Sequence, residues 1–120
     1  MGNNQSLIEL TSQSNDHIIQ FMEIKELTQH MHRFVESKGW YEQMSSRPQT
    51  LKNLAISLTL EACEVLEQFQ WQEQPPDGDK LAEELADVLL YLLQISSLAD
   101  IDLEKAALEK LNKNYLRTWK

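Results

Sequence analysis

Apolar side chains at Ile24, Leu27, Met31, Phe34 and Val35 recur three and four positions apart, which is the period of one helix face. With Asp16 as a candidate cap and Gly39 as a stop, this spacing predicts a helix from His17 to Lys38. "GWYEQMSSRPQT" reads as a loop, in which Ser46 or Thr50 can cap a second helix. The stripe Leu51, Leu54, Leu58, Ala62, Val65 and Phe69 carries that helix to about Trp71, and "QEQPPDGD" breaks it. A third helix is predicted from about Lys80 to Ala99, on the stripe Leu81, Leu85, Val88, Leu92 and Ile95. Asp102 caps a fourth helix that runs nearly to the end. Nothing alternates with the period of a strand. The first fifteen residues are polar and aperiodic, apart from "SLIE" at Ser6 to Glu9, which has the form of a capping box. The expectation is a tail over 1–15 and one all-α domain over 16–120, built as a four-helix arrangement.

Composition narrows the class. A chain of 120 residues with 42% hydrophobic and 25% charged residues is long enough for one domain with a core of its own. Three Gly and three Pro suit a helical chain. No apolar run reaches the length of a membrane span, and "MGNNQSLIELTSQSND" has neither region of a secretory signal. Cys63 is the only cysteine, so no internal disulfide can form, and a cytoplasmic location is expected. The net charge is −8, unevenly spread: Lys105 to Lys120 hold five bases and one acid, a net of +4, which leaves −12 for the rest. An acidic surface repels nucleic acid, so polymer binding is not expected. An acidic centre beside a basic segment suits metal cations on the acids and phosphates on the bases.

The acids give this chemistry a place. "LEACEVLEQFQW" and "LAEELADVLLYL" each contain an acid, two residues, a second acid and then Val-Leu. Acids three apart on a helix lie about 60° apart, so Glu61 and Glu64 share one face, as do Glu84 and Asp87. Glu61 borders its apolar stripe with Glu64 just beyond it, and Glu84 and Asp87 border theirs. If the stripes pack together, four carboxylates converge at one rim of the core. Four positions on from each stand Val65, Gln68, Val88 and Tyr91, none of them a base. Converging, unpaired carboxylates repel, and hard oxygen donors suit Mg²⁺ or Mn²⁺.

These two blocks resemble the ExxE…ExxD signature of the MazG-like all-α nucleoside triphosphate pyrophosphohydrolases. "FQW" and "EELADVLLYL" are most similar to the dCTP pyrophosphatase branch. The resemblance extends over roughly Ile24 to Trp119. It implies a helical bundle completed by homo-oligomerisation, as a homodimer or homotetramer. It also implies Mg²⁺-dependent cleavage of a (d)NTP to the monophosphate and pyrophosphate. On that resemblance Glu61, Glu64, Glu84 and Asp87 are the metal ligands and catalytic residues, and one carboxylate activates the water that attacks the α-phosphorus. "KLNKNYLR" matches the family's Lys…Asn…Arg segment, which assigns Lys110 and Arg117 to phosphate and Asn114 to sugar or base. The spacing of four and three puts all three on one helical face. Trp40, Trp71 and Phe34 match aromatic positions of the nucleoside pocket. The chain departs from the branch at Met31, where related enzymes carry a base-contacting His, in a longer loop from Trp40 to Leu51, and at Thr118, where an aromatic is expected.

Other residues have plainer readings. His30 and His32, two apart, point to opposite sides of a helix and read as surface or rim residues. There is no Glu-x-x-His pair, which argues against a di-iron bundle. There is no glycine-rich phosphate loop, so phosphates must be held by metals and side chains. Cys63 reads as a packing residue, and Tyr115 and Trp119 as packing or interface residues. On the third helix Ala86, Leu90 and Leu93 lie off the stripe, so apolar residues nearly surround it and burial on all sides through self-association is expected. A non-catalytic helical association module is the alternative class. Within the enzymes, phosphoribosyl-ATP and dUTP hydrolases are the alternatives.

Overall fold

The computed structural model describes residues 22–74 and 76–119. It contains four helices: α1 (Ile24–Ser37), α2 (Leu51–Glu67), α3 (Gly78–Leu98) and α4 (Leu103–Leu116), and no strand among the described residues. Three N-termini are capped by side chains. Thr50 accepts from the Asn53 amide at 3.2 Å, Asp77 from Asp79 at 3.1 Å, and Asp102 from Lys105 at 3.0 Å. Each cap satisfies an amide that lacks an intrahelical partner and is worth about 1 kcal/mol. The first helix begins at Ile24, with Glu23 as a cap that makes no side-chain bond. Its expected start near Asp16, the "SLIE" capping box and the expected boundary between tail and domain lie outside the described residues.

Two helices end by the same device. After α1, Gly39 takes a left-handed backbone (φ 70°), and Gly39 and Trp40 donate back to Glu36 and Val35. After α3, Asp100 takes it (φ 56°), and Asp100 and Ile101 donate back to Ser97 and Ser96. These paired bonds close the last turn, and glycine, or at some strain aspartate, accepts the conformation they need. The second helix stops at Glu67, four residues short of the expected Trp71, and the chain then turns through Gln68 to Trp71.

α3 is the centre: α2 packs along it, and α1 packs against it as well. Met31 and Val35 from α1, Leu54 from α2 and Leu93 from α3 form the buried apolar core. Burying each such side chain contributes about 2 kcal/mol. The packed faces are rotated from the expected stripes. On α2 Leu54, Ser57, Leu58, Glu61 and Val65 face inward, whereas Leu51 and Ala62, and Phe69 just past its end, are exposed. On α3 Leu93, Gln94 and Ser96 are buried, whereas Leu85 and Leu92 are exposed. Both rotations carry an acid from the edge of the stripe into the contact: Glu61 and Glu84 are half-buried. The expected all-α, four-helix arrangement is present, with the buried apolar core supplied by α1, α2 and α3. No residue of α4 is buried, and Tyr115 on it and Trp119 just beyond it are exposed, so of the packing and interface roles expected of them the interface one remains.

Candidate functional site

The α2–α3 contact gathers the four predicted acids. One carboxylate oxygen from each of Glu61, Glu64, Glu84 and Asp87 lies within 4.8 Å of all the others. Four like charges at that separation cannot all stay ionised without cost. Desolvation, then the proximity of Glu64, then the charges of Asp87 and Glu84, push the Glu61 carboxyl up to about 7. Glu84 is raised too, first by its hydrogen-bonding approach to Glu64 and then by desolvation. Glu61 Oε2 and Glu84 Oε2 are buried without a hydrogen-bond partner among the described residues. A buried acceptor with no donor is destabilising, so such a pair calls for a guest. A divalent cation with a preference for hard oxygen donors fits: it would satisfy both orphaned atoms and cancel the repulsion. The residues present could hold one.

Beside the acids opens a pocket of about 520 Å³, a volume within the range of small-molecule sites. Asp87 belongs to both the cluster and the pocket wall. Trp40 and Phe34 meet there edge to face, centroids 5.7 Å apart at 86°. The left-handed turn at Gly39 is what carries Trp40 back over α1 to reach Phe34. The Arg47 guanidinium stands 5.4 Å from the Trp40 ring, a cation–π arrangement that holds the aromatic plane. Met31 and Leu54 supply apolar floor.

The structure therefore brings together Glu61, Glu64, Glu84, Asp87, Phe34 and Trp40. It does not bring the other four predicted residues to the pocket. Trp71 is 89% exposed on the turn after α2. Lys110 and Asn114 sit on α4, and Arg117 just beyond it, its guanidinium 4.3 Å from the Trp119 ring. None of these lines the pocket.

Other residues of the wall escaped the sequence reading. Tyr91 and Gln94 follow Asp87 by four and seven positions, so they share its face of α3. That arithmetic was available from the sequence. The loop residues Arg47, Pro48 and Gln49 carry no period, so nothing in their spacing marks them. His32, expected at the surface or rim, is half-buried and also ties α1 to the loop and to α3: its ring nitrogens lie 2.6 Å from Tyr41 Oη and 2.7 Å from Ser97 Oγ. Burial raises the Tyr41 phenol above its ordinary value, against the lowering effect of its Gln94 bond. Cys63, expected to pack, is exposed.

Residues 49–118 match the family model described as the MazG nucleotide pyrophosphohydrolase domain. The chain is 35% identical over 75 residues to dCTP pyrophosphatase 1 of Rattus norvegicus, covering 55% of this chain and 44% of that protein. With dCTP pyrophosphatase 1 of Homo sapiens the identity is also 35%, at the same coverage. The chain thus spans less than half the length of the curated relatives it matches. A solved pyrophosphatase from Archaeoglobus fulgidus superposes with a TM-score of 0.66 at 32% identity, over 86% of this chain and 99% of that one.

Proposed function

The chain belongs to the MazG nucleotide pyrophosphohydrolase family, and from that premise we propose that it hydrolyses a nucleoside triphosphate to the monophosphate and pyrophosphate. Water attacks the α-phosphorus, the bond to the β-phosphate oxygen breaks, and pyrophosphate leaves. The observation that carries the reading is the position of Asp87, in the four-carboxylate cluster and in the wall of a nucleoside-sized aromatic pocket at once. A nucleoside in that pocket points its phosphates at the acids. Mg²⁺, or Mn²⁺ in its place, held by Glu61, Glu64, Glu84 and Asp87, supplies the positive charge that the triphosphate and the reacting phosphorus require. One of the four carboxylates takes the proton of the attacking water. Phe34 and Trp40 give the base an apolar, stackable wall.

The preferred substrate in this reading is dCTP, or a related or modified pyrimidine deoxynucleotide, and the role is clearing the nucleotide pool. The curated relatives that carry the name dCTP pyrophosphatase 1 support this.

The protein works as a homodimer or homotetramer in this proposal. Leu85 and Leu89 on α3, and Leu108, Leu111, Tyr115 and Leu116 on or at the end of α4, are all exposed. An exposed apolar surface of this extent marks an association face. A second copy could also bring Lys110, Asn114, Arg117 or Trp71 to the phosphates and base, which a single chain does not do. Among the described residues no helix is long and apolar enough to cross a membrane, and the free, exposed Cys63 suits the reducing cytoplasm.

Pyrophosphate release tests the proposal. Purified protein is offered the four dNTPs, dUTP, the ribonucleotides and phosphoribosyl-ATP, with Mg²⁺ and with chelator. Metal-dependent release, led by dCTP, is expected. Release from none of them would leave association as the chain's only activity.

A further inference from the structure

Gln94 stands in the pocket wall at only 3% exposure. Its Nε2 donates to Gln49 Oε1 at 2.8 Å and to Tyr41 Oη at 3.2 Å. Both amide hydrogens are therefore used. The Tyr41 oxygen accepts from Gln94, so its own hydrogen is left for His32 Nδ1 at 2.6 Å, and His32 Nε2 then donates to Ser97 Oγ at 2.7 Å. Gln49 Nε2 donates to the Arg47 carbonyl at 2.7 Å, which leaves Gln49 Oε1 as an acceptor facing Gln94 and fixes which end of the Gln94 amide faces which way, because reversing that amide would set two oxygens against each other. The Gln94 carbonyl oxygen has no partner among the described residues. Gln94 lines the pocket with both amide hydrogens engaged, so the group it can offer an occupant of the pocket is that oxygen.

We propose that Gln94 is a specificity-determining residue, whose fixed carbonyl oxygen accepts a hydrogen bond from the exocyclic amino group of a 4-aminopyrimidine and so selects cytosine over uracil. Only the assumption that a nucleotide fills the pocket comes from the hydrolase reading. The 4-oxo group of uracil would set one acceptor against another, and the network leaves Gln94 no hydrogen to offer. A buried polar group built to meet a partner discriminates strongly against a ligand that lacks it. Register agrees: Gln94 lies two turns from Asp87, about 10.5 Å along α3, the reach of a nucleoside monophosphate from its phosphorus to the far edge of its base. Met31, on the pocket floor, offers no competing hydrogen bond. Tyr41 and His32, which do not line the pocket, are positioning residues that act on the base through Gln94, and Gln49 holds Gln94 from within the wall.

The test separates base reading from hydrolysis. Binding of dCMP and dUMP is measured by calorimetry, and kcat/KM for dCTP and dUTP by pyrophosphate release, on the full chain with Mg²⁺. Wild type is expected to favour the cytosine member of each pair at least tenfold. Gln94→Met, close in shape but with no acceptor, should cut both ratios about tenfold. Tyr41→Phe leaves the acceptor in place but loosens it, and should lower the ratios by a smaller factor with its circular dichroism unchanged. A folded Gln94→Met whose ratios match wild type overturns the inference. If Gln94→Met does not fold, Tyr41→Phe combined with Gln49→Ala decides, and unchanged ratios there overturn it equally. Selective dCMP binding that Gln94→Met abolishes, in a protein that hydrolyses nothing, upholds the base reading and rejects only the hydrolase reading. Equal hydrolysis of dCTP and dUTP by wild type does the reverse.

Discussion

Replacing Glu61 by Gln should stabilise the metal-free protein at alkaline pH while weakening its response to metal. The Glu61 carboxyl is pushed up to about 7 by burial and by Glu64, Asp87 and Glu84. An acid whose folded value exceeds its unfolded one favours folding when protonated. Its contribution is complete below the unfolded value of 4.5 and is lost as pH rises through about 7. Taken whole, the displacement corresponds to about 3 kcal/mol. The cluster is open on one side, Asp87 being exposed, so solvent screens it and roughly 1–2 kcal/mol is the working figure. Coulomb repulsion at similar separation, about 1 kcal/mol per pair in water and up to about 4 at an intermediate dielectric, brackets that value. Glu61→Gln removes the charge and keeps the shape. In chelator at pH 8 the variant should melt several degrees above wild type. The difference should shrink as pH falls from 7 towards 4.5, where wild-type Glu61 is already neutral. Added Mg²⁺ should raise the wild-type midpoint more than the variant's. Differential scanning fluorimetry across pH 5 to 8, with and without Mg²⁺, reads all three. A variant less stable than wild type in chelator at pH 8, or a gap indifferent to pH, would refute the reasoning.

Glu64→Gln and Asp87→Asn should each abolish pyrophosphate release with circular dichroism unchanged; near-wild-type turnover in both would end the metal assignment. Leu85→Glu with Leu92→Glu should shift sedimentation from dimer or tetramer to monomer, because it puts charge on exposed apolar positions of α3; a stable wild-type monomer at micromolar concentration would already contradict the assembly. Arg117→Ala or Lys110→Ala should lower kcat/KM about ten- to a hundredfold, the loss of one charge-assisted phosphate bond, while Asn114→Ala should reorder the nucleosides; steady-state kinetics on the dNTP panel check both.

Helix existence and the acid cluster were legible because both follow from short-range arithmetic. Caps at Thr50 and Asp102 sit where side-chain chemistry places them, and acids three apart must share a face. The rotation of α2 and α3 was not legible. Apolar residues nearly surround both helices, so hydrophobic spacing alone does not choose between Leu85 and Leu92 on one side of α3 and Leu93 on the other. A different rule decides: the contact that buries Leu93 also takes in Gln94, whose donors find Tyr41 and Gln49 across it. The partners of a polar side chain lie 45 and 53 residues away in sequence, and no local window contains them. For the same reason His32 read as a rim residue, although its two nitrogens hold the loop and α3 in place.

The two halves of the predicted substrate site separate along the line between packed and unpacked helices. Residues that α1, α2 and α3 bury against one another, or hold at their edge, form the pocket and the acid cluster. Residues on α4 and on the turn at Trp71 face outward with apolar neighbours such as Leu116, 88% exposed. A helix with no buried residue has little packing to hold it, since a short isolated helix is marginal in water. Whatever covers the apolar residues of α4 therefore also orders it, and the cations at Lys110 and Arg117 come with it. If that cover is a second copy, assembly and phosphate binding are one event. Dilution below the association constant should then lower kcat/KM and helix content together. Activity that persists in a protein diluted to monomer would place the cations elsewhere and leave the carboxylate cluster and its metal to carry the triphosphate alone.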